Sequence, residues 1–287
     1  MALSLEMSFQ LQLPFNSPVY YALLALSTVM YYTYAYAGAA GDVRFDNPRT
    51  EWYRVHHRFI TRSQVVLFCS CICLFAWLMV GHYRGLLELP VYYWVLLAVM
   101  GLSALSYYGL LPHSAYRLNL RNSGWAKAFV IGFVWACTIN ILPLVDLQVE
   151  AKPFHADPVL VLWLFVKNWM FCTVNAIMFD LKDYADDANH ELKTFVVRFG
   201  LRKTIHFVLI PLLVVGILSV IAFTIIIRHF PLIPILFNLI PFACLLAVAY
   251  SLHTRKPILF YLIVIDGLLL VKALCGIAGT QFMNLHH

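Results

Sequence analysis

The feature that most constrains this chain is a series of long apolar segments, each about as long as one bilayer crossing. A helix needs about 20 predominantly apolar residues to cross the hydrocarbon core. Such windows with few charges occupy residues 17–37, 62–81, 88–110, 126–146, 158–180, 203–227, 231–252 and 257–280. Since a backbone in lipid must satisfy its own hydrogen bonds, we expect a helix at each window.

Composition supports a chain that lies mostly in lipid. Of its 287 residues, 62% are hydrophobic and 12% are charged, and the mean hydropathy is +0.79. No Gly/Ser-rich linker or soluble stretch interrupts the windows. We therefore expect one all-α domain over residues 1–287, a polytopic bundle of eight transmembrane helices with the lipid bilayer as its partner. Nothing in this composition indicates nucleic-acid binding.

The first thirteen residues precede the first window and have a different pattern. Apolar residues alternate with polar ones from Leu3 to Leu13. This period of two is typical of a strand, or of a segment that lies on the membrane. We predict a structural lead-in.

Basic residues are distributed very unequally between the loops. Fifteen lie in the odd-numbered loops, counted from the N-terminus, and three lie in the even-numbered loops. Because cytoplasmic loops carry an excess of Lys and Arg, this bias predicts cytoplasmic odd loops. With eight helices, both termini are then expected on the non-cytoplasmic side.

Three aspartates stand where the fifth window ends. Asp180, Asp183 and Asp187 are spaced i, i+3 and i+7, which places them on one face of a continuing helix. Carboxylates so close repel each other, and Mg²⁺ with its preference for oxygen ligands is one reason to gather them. The alternative is a solvated helix end whose acids are balanced by neighbouring bases.

A second acidic pair favours the magnesium interpretation. Asp42 and Asp46 are i, i+4 just after the first window, in a loop predicted to share the membrane face of the triad. Two such clusters can hold two Mg²⁺ ions that bridge a diphosphate, with cations completing the shell. Candidate cations on that face are Arg117, Arg121, Lys127, Lys182 and Lys193. Metal and cations together would stabilise departing pyrophosphate.

Two stretches resemble motifs of the UbiA superfamily of intramembrane prenyltransferases. DLKDYADDANHELKTFVVRFG is similar to the second aspartate motif of that family. The three acids of the triad match, and so do Lys193, Thr194, Arg198 and Gly200. YYGLLPHSAYRLNLRNSGWAKAF resembles the Tyr-Pro-basic loop of the family, with Tyr107 or Tyr108 and Arg117, Arg121 or Lys127 as its counterparts.

The chain also departs from the family pattern. Gly38 stands where the first motif has Asn, and Gly has no side chain to contact metal or phosphate. Glu191 and Val196 replace the usual Gly and Pro of the second motif. Many relatives have nine spans, against the eight windows here.

The resemblance implies a helical bundle around a central cavity and Mg²⁺-dependent transfer of a prenyl group from a polyprenyl diphosphate to a lipophilic or aromatic acceptor. Its active-site loops would be cytoplasmic. The implied catalytic residues are Asp180, Asp183, Asp187, Lys193 and Tyr108. The implied diphosphate-binding residues are Arg117, Arg121, Lys127, Lys182, Arg198 and Asn175. The implied metal ligands are Asp42, Asp46, Asp183 and Asp187.

Two other functions stay open. A terpene cyclase of the same superfamily would also ionise a prenyl diphosphate. It would quench the resulting allylic carbocation within the same molecule and need no acceptor. A transporter or a non-catalytic membrane protein belongs to a different class, and the absence of paired, interrupted helices in two matching halves disfavours it. The acceptor itself and the prenyl chain length are not specified by any residue.

Polar residues also occur inside the windows. Asp266 and Lys272 are intramembrane charges, and each is costly at a helix centre. We expect Asp266 to face the cavity or a base such as Lys167, and Lys272 to extend toward the outer surface. Asn168 and Asn175 share a window with Lys167, and either function or helix–helix hydrogen bonding explains them.

Overall fold

The protein is helical wherever its structure is described. The computed structural model describes residues 1–39, 48–108, 124–182, 184, 194–229, 231–254 and 256–284. Its helices are α1 (Ala2–Gln10), α2 (Pro18–Ala39), α3 (Pro48–Val55), α4 (His57–Gly81), α5 (Tyr83–Leu87), α6 (Val91–Tyr108), α7 (Ala126–Asn140), α8 (Leu142–Val149), α9 (Pro158–Lys182), α10 (Phe195–Phe199), α11 (Leu201–Ile227), α12 (Leu232–Ser251) and α13 (Ile258–Met283). No strand occurs in these ranges.

Six stretches of helix are long and apolar enough to cross a membrane. They are α4, α7 continued by α8, α9, α11, α12 and α13, counted over the described residues. All six coincide with windows predicted from the sequence. The protein is therefore an all-α integral membrane protein.

The other two predicted windows form helices that are less suited to crossing a bilayer. The window at 17–37 is α2, whose six tyrosines lower its hydropathy. The window at 88–110 is α6, in which the apolar stretch Val91–Ser106 is shorter than a full crossing. The predicted count of eight spans thus exceeds the six found among the described residues.

The described chain folds into two compact units, while the single-domain expectation stays a prediction. The first unit contains α2 to α5 and the segment 146–153. The Gln64 amide donates to the Thr33 hydroxyl between α4 and α2. The Asn16 amide donates to a carboxylate oxygen of Asp146 at 2.8 Å. Gly85 packs directly on the carbonyl of Val149, where no side chain would fit.

The second unit contains α1, α6, α7 and α9 to α13. Its core is a cluster of aliphatic and aromatic side chains from α9, α11, α12 and α13, in which Phe171 meets Phe242 edge to face at 5.5 Å. Helix α9 is the most enclosed of the six long helices, with 56% of its apolar window buried against 11% for α4. Polar residues of α9 are therefore held by protein and not by lipid.

Two helices begin with a side-chain cap. Asp157 Oδ1 accepts from the backbone N–H of Val159 at 2.9 Å, and Ser17 Oγ accepts from that of Tyr20 at 3.2 Å. Each side chain satisfies an N–H that the helix itself leaves without a partner.

The amino-terminal residues form helix α1, whereas their alternating pattern favoured a strand or a segment on the membrane surface. Leu3, Met7 and Glu6 are all buried within the second unit. Helix α1 packs on α13, where Gly276 leaves room for Glu6; a Cβ at Gly276 would collide with the Glu6 carboxyl. Tertiary packing and a buried charge therefore override the period-two pattern of this short segment.

Candidate functional site

The first aspartate of the triad is paired with a lysine from the neighbouring helix. Asp180 lies in the last turn of α9, and Lys127 lies in the first turn of α7. Lys127 Nζ is 2.9 Å from Asp180 Oδ1, and the two side chains are 13% and 5% exposed. The structure thus brings together one predicted catalytic acid and one predicted diphosphate-binding base.

This pairing depends on close packing of α7 against α9. Along α7, Ala128, Gly132 and Ala136 are buried and small. A Cβ at Gly132 would come within 2.8 Å of the Thr173 backbone nitrogen in α9. Small residues at such an interface let two membrane helices approach, and here the approach brings the Lys127 ammonium to Asp180.

Asn175 is the most informative of the predicted binding residues. It is 6% exposed, and neither its amide nitrogen nor its amide oxygen has a hydrogen-bond partner among the described residues. Asn175 precedes Asp180 by five residues, or about 7.5 Å along the helix axis. An unsatisfied buried amide costs roughly 1–3 kcal/mol, which makes Asn175 a candidate ligand-binding residue.

The tail of the second aspartate motif supplies another buried polar group. Thr194 is completely buried, and its hydroxyl has no partner in the described part of the chain. It immediately precedes α10, where its backbone carbonyl accepts from the N–H of Arg198 at 2.9 Å. Thr194 is part of the stretch that resembles the second aspartate motif, and the resemblance gave it no role.

Two further predicted bases lie against aromatic rings. Lys182 Nζ is 5.7 Å from the ring centre of Phe179, and the Arg198 guanidinium is 5.3 Å from that of Phe199. Arg198 is exposed. Lys182 is the last residue of α9, and Arg198 lies in α10. No described contact joins Arg198 to Asp180.

Most of the remaining predicted site residues lie outside the described residues. These are Asp42, Asp46, Arg117, Arg121, Asp183, Asp187 and Lys193, together with the side chain of Tyr108. The structure therefore does not test the four predicted metal ligands. Within the described ranges, no group of three His, Cys, Asp or Glu side chains is arranged to hold a metal.

A second charged cluster, in the second unit, is one that the sequence interpretation missed. Lys272 Nζ is 2.6 Å from Glu6 Oε2, and Lys167 Nζ is 3.9 Å from Glu6 Oε1. The expectation that Lys272 extends to the outer surface is wrong, because this residue is 2% exposed. Lys167 contacts Glu6, Gln10 and Asn238. Asp266, which the sequence suggested as a partner of Lys167, is exposed.

The signal for this cluster was present in the sequence. Glu6 is an acid within an otherwise uncharged lead-in, and Lys167 and Lys272 are two bases within apolar windows. Buried charges in a membrane protein pair with one another. Because residues 1–13 were interpreted as a structural lead-in, Glu6 was not considered as a partner for Lys167 and Lys272.

Comparisons of the chain with protein-family models, with curated proteins and with solved structures found no match.

Proposed function

We propose that this protein is a Mg²⁺-dependent intramembrane prenyltransferase. It transfers a prenyl group from a polyprenyl diphosphate to a lipophilic or aromatic acceptor, as the resemblance to the UbiA superfamily implies. The observations that carry the proposal are the buried Lys127–Asp180 pair and, five residues earlier on α9, the buried amide of Asn175, which has no hydrogen-bond partner among the described residues. Asn175 and Asp180 lie on α9, the helix that contains the first aspartate of the triad, and Lys127 lies on α7.

The residues fit the demands of a diphosphate. Lys127 supplies an ammonium that Asp180 orients, and Asn175 supplies an amide donor and an acceptor in a protein-enclosed setting. Asp42, Asp46, Asp183 and Asp187 are the proposed magnesium ligands. When bound, magnesium would neutralise charge on the leaving pyrophosphate.

The reaction needs little covalent chemistry from the protein. The bond between the allylic carbon and the diphosphate oxygen breaks, and pyrophosphate leaves with the electron pair. The acceptor nucleophile then forms a bond to the allylic carbon and loses a proton. The protein must bind the diphosphate, hold the apolar chain in a cavity and exclude water, for which burial supplies roughly 0.8 kcal/mol per CH₂.

The topology is part of the same proposal. We propose that the loops with most of the basic residues are cytoplasmic, that both termini are on the opposite side, and that the site opens to the cytoplasmic face around a central cavity. The excess of Lys and Arg in the odd-numbered loops supports this orientation.

The test measures turnover by the purified full chain in lipid nanodiscs. Farnesyl and geranylgeranyl diphosphates are supplied with and without Mg²⁺ and an aromatic acceptor, and pyrophosphate and prenylated product are quantified. We expect both to depend on Mg²⁺ and acceptor. Release of pyrophosphate together with a cyclic hydrocarbon in the absence of acceptor would instead identify a cyclase, and no Mg²⁺-dependent release from either substrate would refute the enzyme.

Variants connect that turnover to the aspartates. Asp183→Asn and Asp187→Asn should each lower kcat/KM by about 100-fold or more, the usual effect of removing one electrostatic contact to a developing charge. Glu88→Gln is the matched control, because Glu88 is an exposed acid away from both aspartate motifs. Equal losses in control and test variants would contradict the assignment.

A further inference from the structure

The cluster of Glu6, Lys167 and Lys272 has one more base than acid. Each of the three side chains is 3% exposed. No other acid lies within 4 Å of either ammonium among the described residues. With all three ionised, the cluster has a net charge of +1 in a low-dielectric interior, which is unfavourable without a compensating anion.

Lys167 lies directly behind the wall of an open pocket. Its Nζ donates to Gln10 Oε1 and Asn238 Oδ1, both at 3.1 Å, and sits 4.8 Å from the ring centre of Trp163. Gln10, Asn238 and Trp163 all line the pocket. Thus three side chains that contact the lysine also face the space in front of it.

That wall presents hydrogen-bond donors. The amides of Gln10 and Asn238 turn their oxygens to Lys167, and each NH₂ uses one N–H, toward Glu6 Oε1 and the Pro234 carbonyl respectively. One N–H therefore remains on each amide. The Trp163 indole N–H is buried with no acceptor among the described residues. No carboxylate lines the pocket.

The remaining lining indicates the kind of ligand. Leu160, Pro234 and Met283 are apolar, Gly279 contributes no side chain, and the Thr280 hydroxyl donates to the Gly276 carbonyl. Trp163 precedes Asp180 by 17 residues, about 25 Å along α9, so this pocket is separate from the proposed prenyl-transfer site. The N–H donors of the pocket wall lie beside a cluster with a net charge of +1. Together they favour a ligand that accepts hydrogen bonds and has one negative charge.

We propose that the pocket lined by Gln10, Trp163 and Asn238 binds a singly charged oxyanion, which compensates the surplus charge of the Glu6–Lys167–Lys272 cluster. A lipid phosphodiester and a small carboxylate share this chemistry. The inference goes beyond prenyl transfer and holds whether or not the chain is an enzyme.

Thermal unfolding of the full chain in detergent tests the proposal with acetate as the probe and chloride at equal ionic strength as the reference. We expect acetate to raise the midpoint more than chloride. In parallel, nanodiscs of zwitterionic lipid are compared with nanodiscs that contain phosphatidylglycerol. Stabilisation by acetate alone identifies a soluble carboxylate, and stabilisation by phosphatidylglycerol alone identifies a lipid phosphodiester. No stabilisation by either, or equal stabilisation by chloride, overturns the proposal.

Trp163→Phe removes the indole N–H while keeping an aromatic ring stacked on Phe223, which lies 4.2 Å away between ring centres. We expect about tenfold weaker apparent affinity for the effective anion, the usual loss for a hydrogen bond to a charged group. Trp125→Phe is the matched control, since Trp125 is half exposed and stands before α7. Equal weakening in both variants overturns the site.

Asn238→Asp provides a second and independent variant. It places a carboxylate beside Lys167 with almost no change in shape. The variant should unfold at a higher temperature than the parent without anion, and should lose the response to anion. A variant that keeps the full response overturns the proposal, because the surplus charge would then not be what the ligand compensates.

Discussion

Asn175 has a buried side chain whose amide finds no hydrogen-bond partner in the part of the chain that the structure describes. Its buried amide has no partner among the described residues, although replacing a buried polar group of this kind with an apolar one of similar shape is nearly neutral or stabilising. Retention of such a residue at the expense of stability is typical of functional sites. Asn175 is therefore the residue at which stability and activity should separate.

Asn175→Leu tests this separation. The variant should unfold at the same or a higher temperature than the parent, because it removes an unsatisfied buried amide. It should raise KM for the prenyl diphosphate by about tenfold, the loss expected for one hydrogen bond to a charged group. Steady-state kinetics and thermal unfolding in the same detergent measure both effects. An unchanged KM in a stable variant would show that Asn175 does not bind substrate.

The Asp157 carboxylate, at the other end of α9, is expected to make the stability of the protein depend on pH. The Arg228 guanidinium donates to Asp157 Oδ2, and this hydrogen bond is the largest cause that lowers the pKa of Asp157 below its ordinary value of 3.8. A lowered folded-state pKa stabilises the protein above the ordinary value, and this contribution disappears as pH falls through the folded pKa. Asp157 is substantially exposed, so we expect a small effect.

Thermal unfolding of the parent and Asp157→Asn between about pH 6 and about pH 3 measures this contribution. The parent should be the more stable at the upper end, and the difference should shrink toward the lower end. Glu51→Gln is the control, because Glu51 forms an exposed pair with Arg54 three residues later on the same helix, α3. A difference that grows on acidification would contradict the sign.

At the scale of helices, the sequence predicted the long elements well and their packing poorly. Hydropathy located α4, α9, α11, α12 and α13 because a bilayer requires long apolar runs. It did not indicate which faces meet, since lipid-facing and buried positions are both apolar. Spacing was enough to propose Asp180 as a site residue, whereas its pairing with Lys127 required knowledge of how α7 packs on α9.

Gly132→Ala tests that packing. The added methyl would approach the Thr173 backbone at 2.8–3.0 Å, which α9 can relieve only by moving away from α7. We expect a loss of about 1–3 kcal/mol in unfolding free energy, measured by titration with a denaturing detergent. Lower prenyl-transfer activity should accompany the loss.

Gly101→Ala in α6 is the matched control, because a Cβ there meets nothing within 4 Å. It should be neutral or slightly stabilising, since Ala favours a helix over Gly. If Gly132→Ala is as stable as this control, the approach of α7 to α9 is not sterically limited at Gly132.

At the scale of the whole molecule, the excess of basic residues predicts which connections share a side of the membrane. In a cysteine-free background, single cysteines at Arg202 and Arg54 should react with an impermeant maleimide from the same side, and cysteines at Lys152 and Arg228 from the opposite side. Labelling of intact vesicles and of permeabilised vesicles distinguishes the sides. Labelling of Arg202 and Arg228 positions from one side would contradict the proposed topology.

The pairing of Glu6 with Lys272 is a long-range contact that local sequence patterns do not predict. The two residues are 266 positions apart, and neither position lies in a recognisable motif. Their proximity follows from α1 packing on α13 at Gly276. Hydropathy windows and motif spacing describe short stretches of sequence, so they carry no information about such a pairing.

The same ion pair gives the nascent protein an order of assembly. Because translation proceeds from Glu6 toward Lys272, the carboxylate must wait for its partner until the 266 positions that separate them have been synthesised. A charge in lipid is unfavourable by about 2.5–3.5 kcal/mol at a helix centre, and α1 is therefore expected to dock last although it is made first. A chain truncated before α13 would lack Lys272 and so leave the Glu6 carboxylate without this partner.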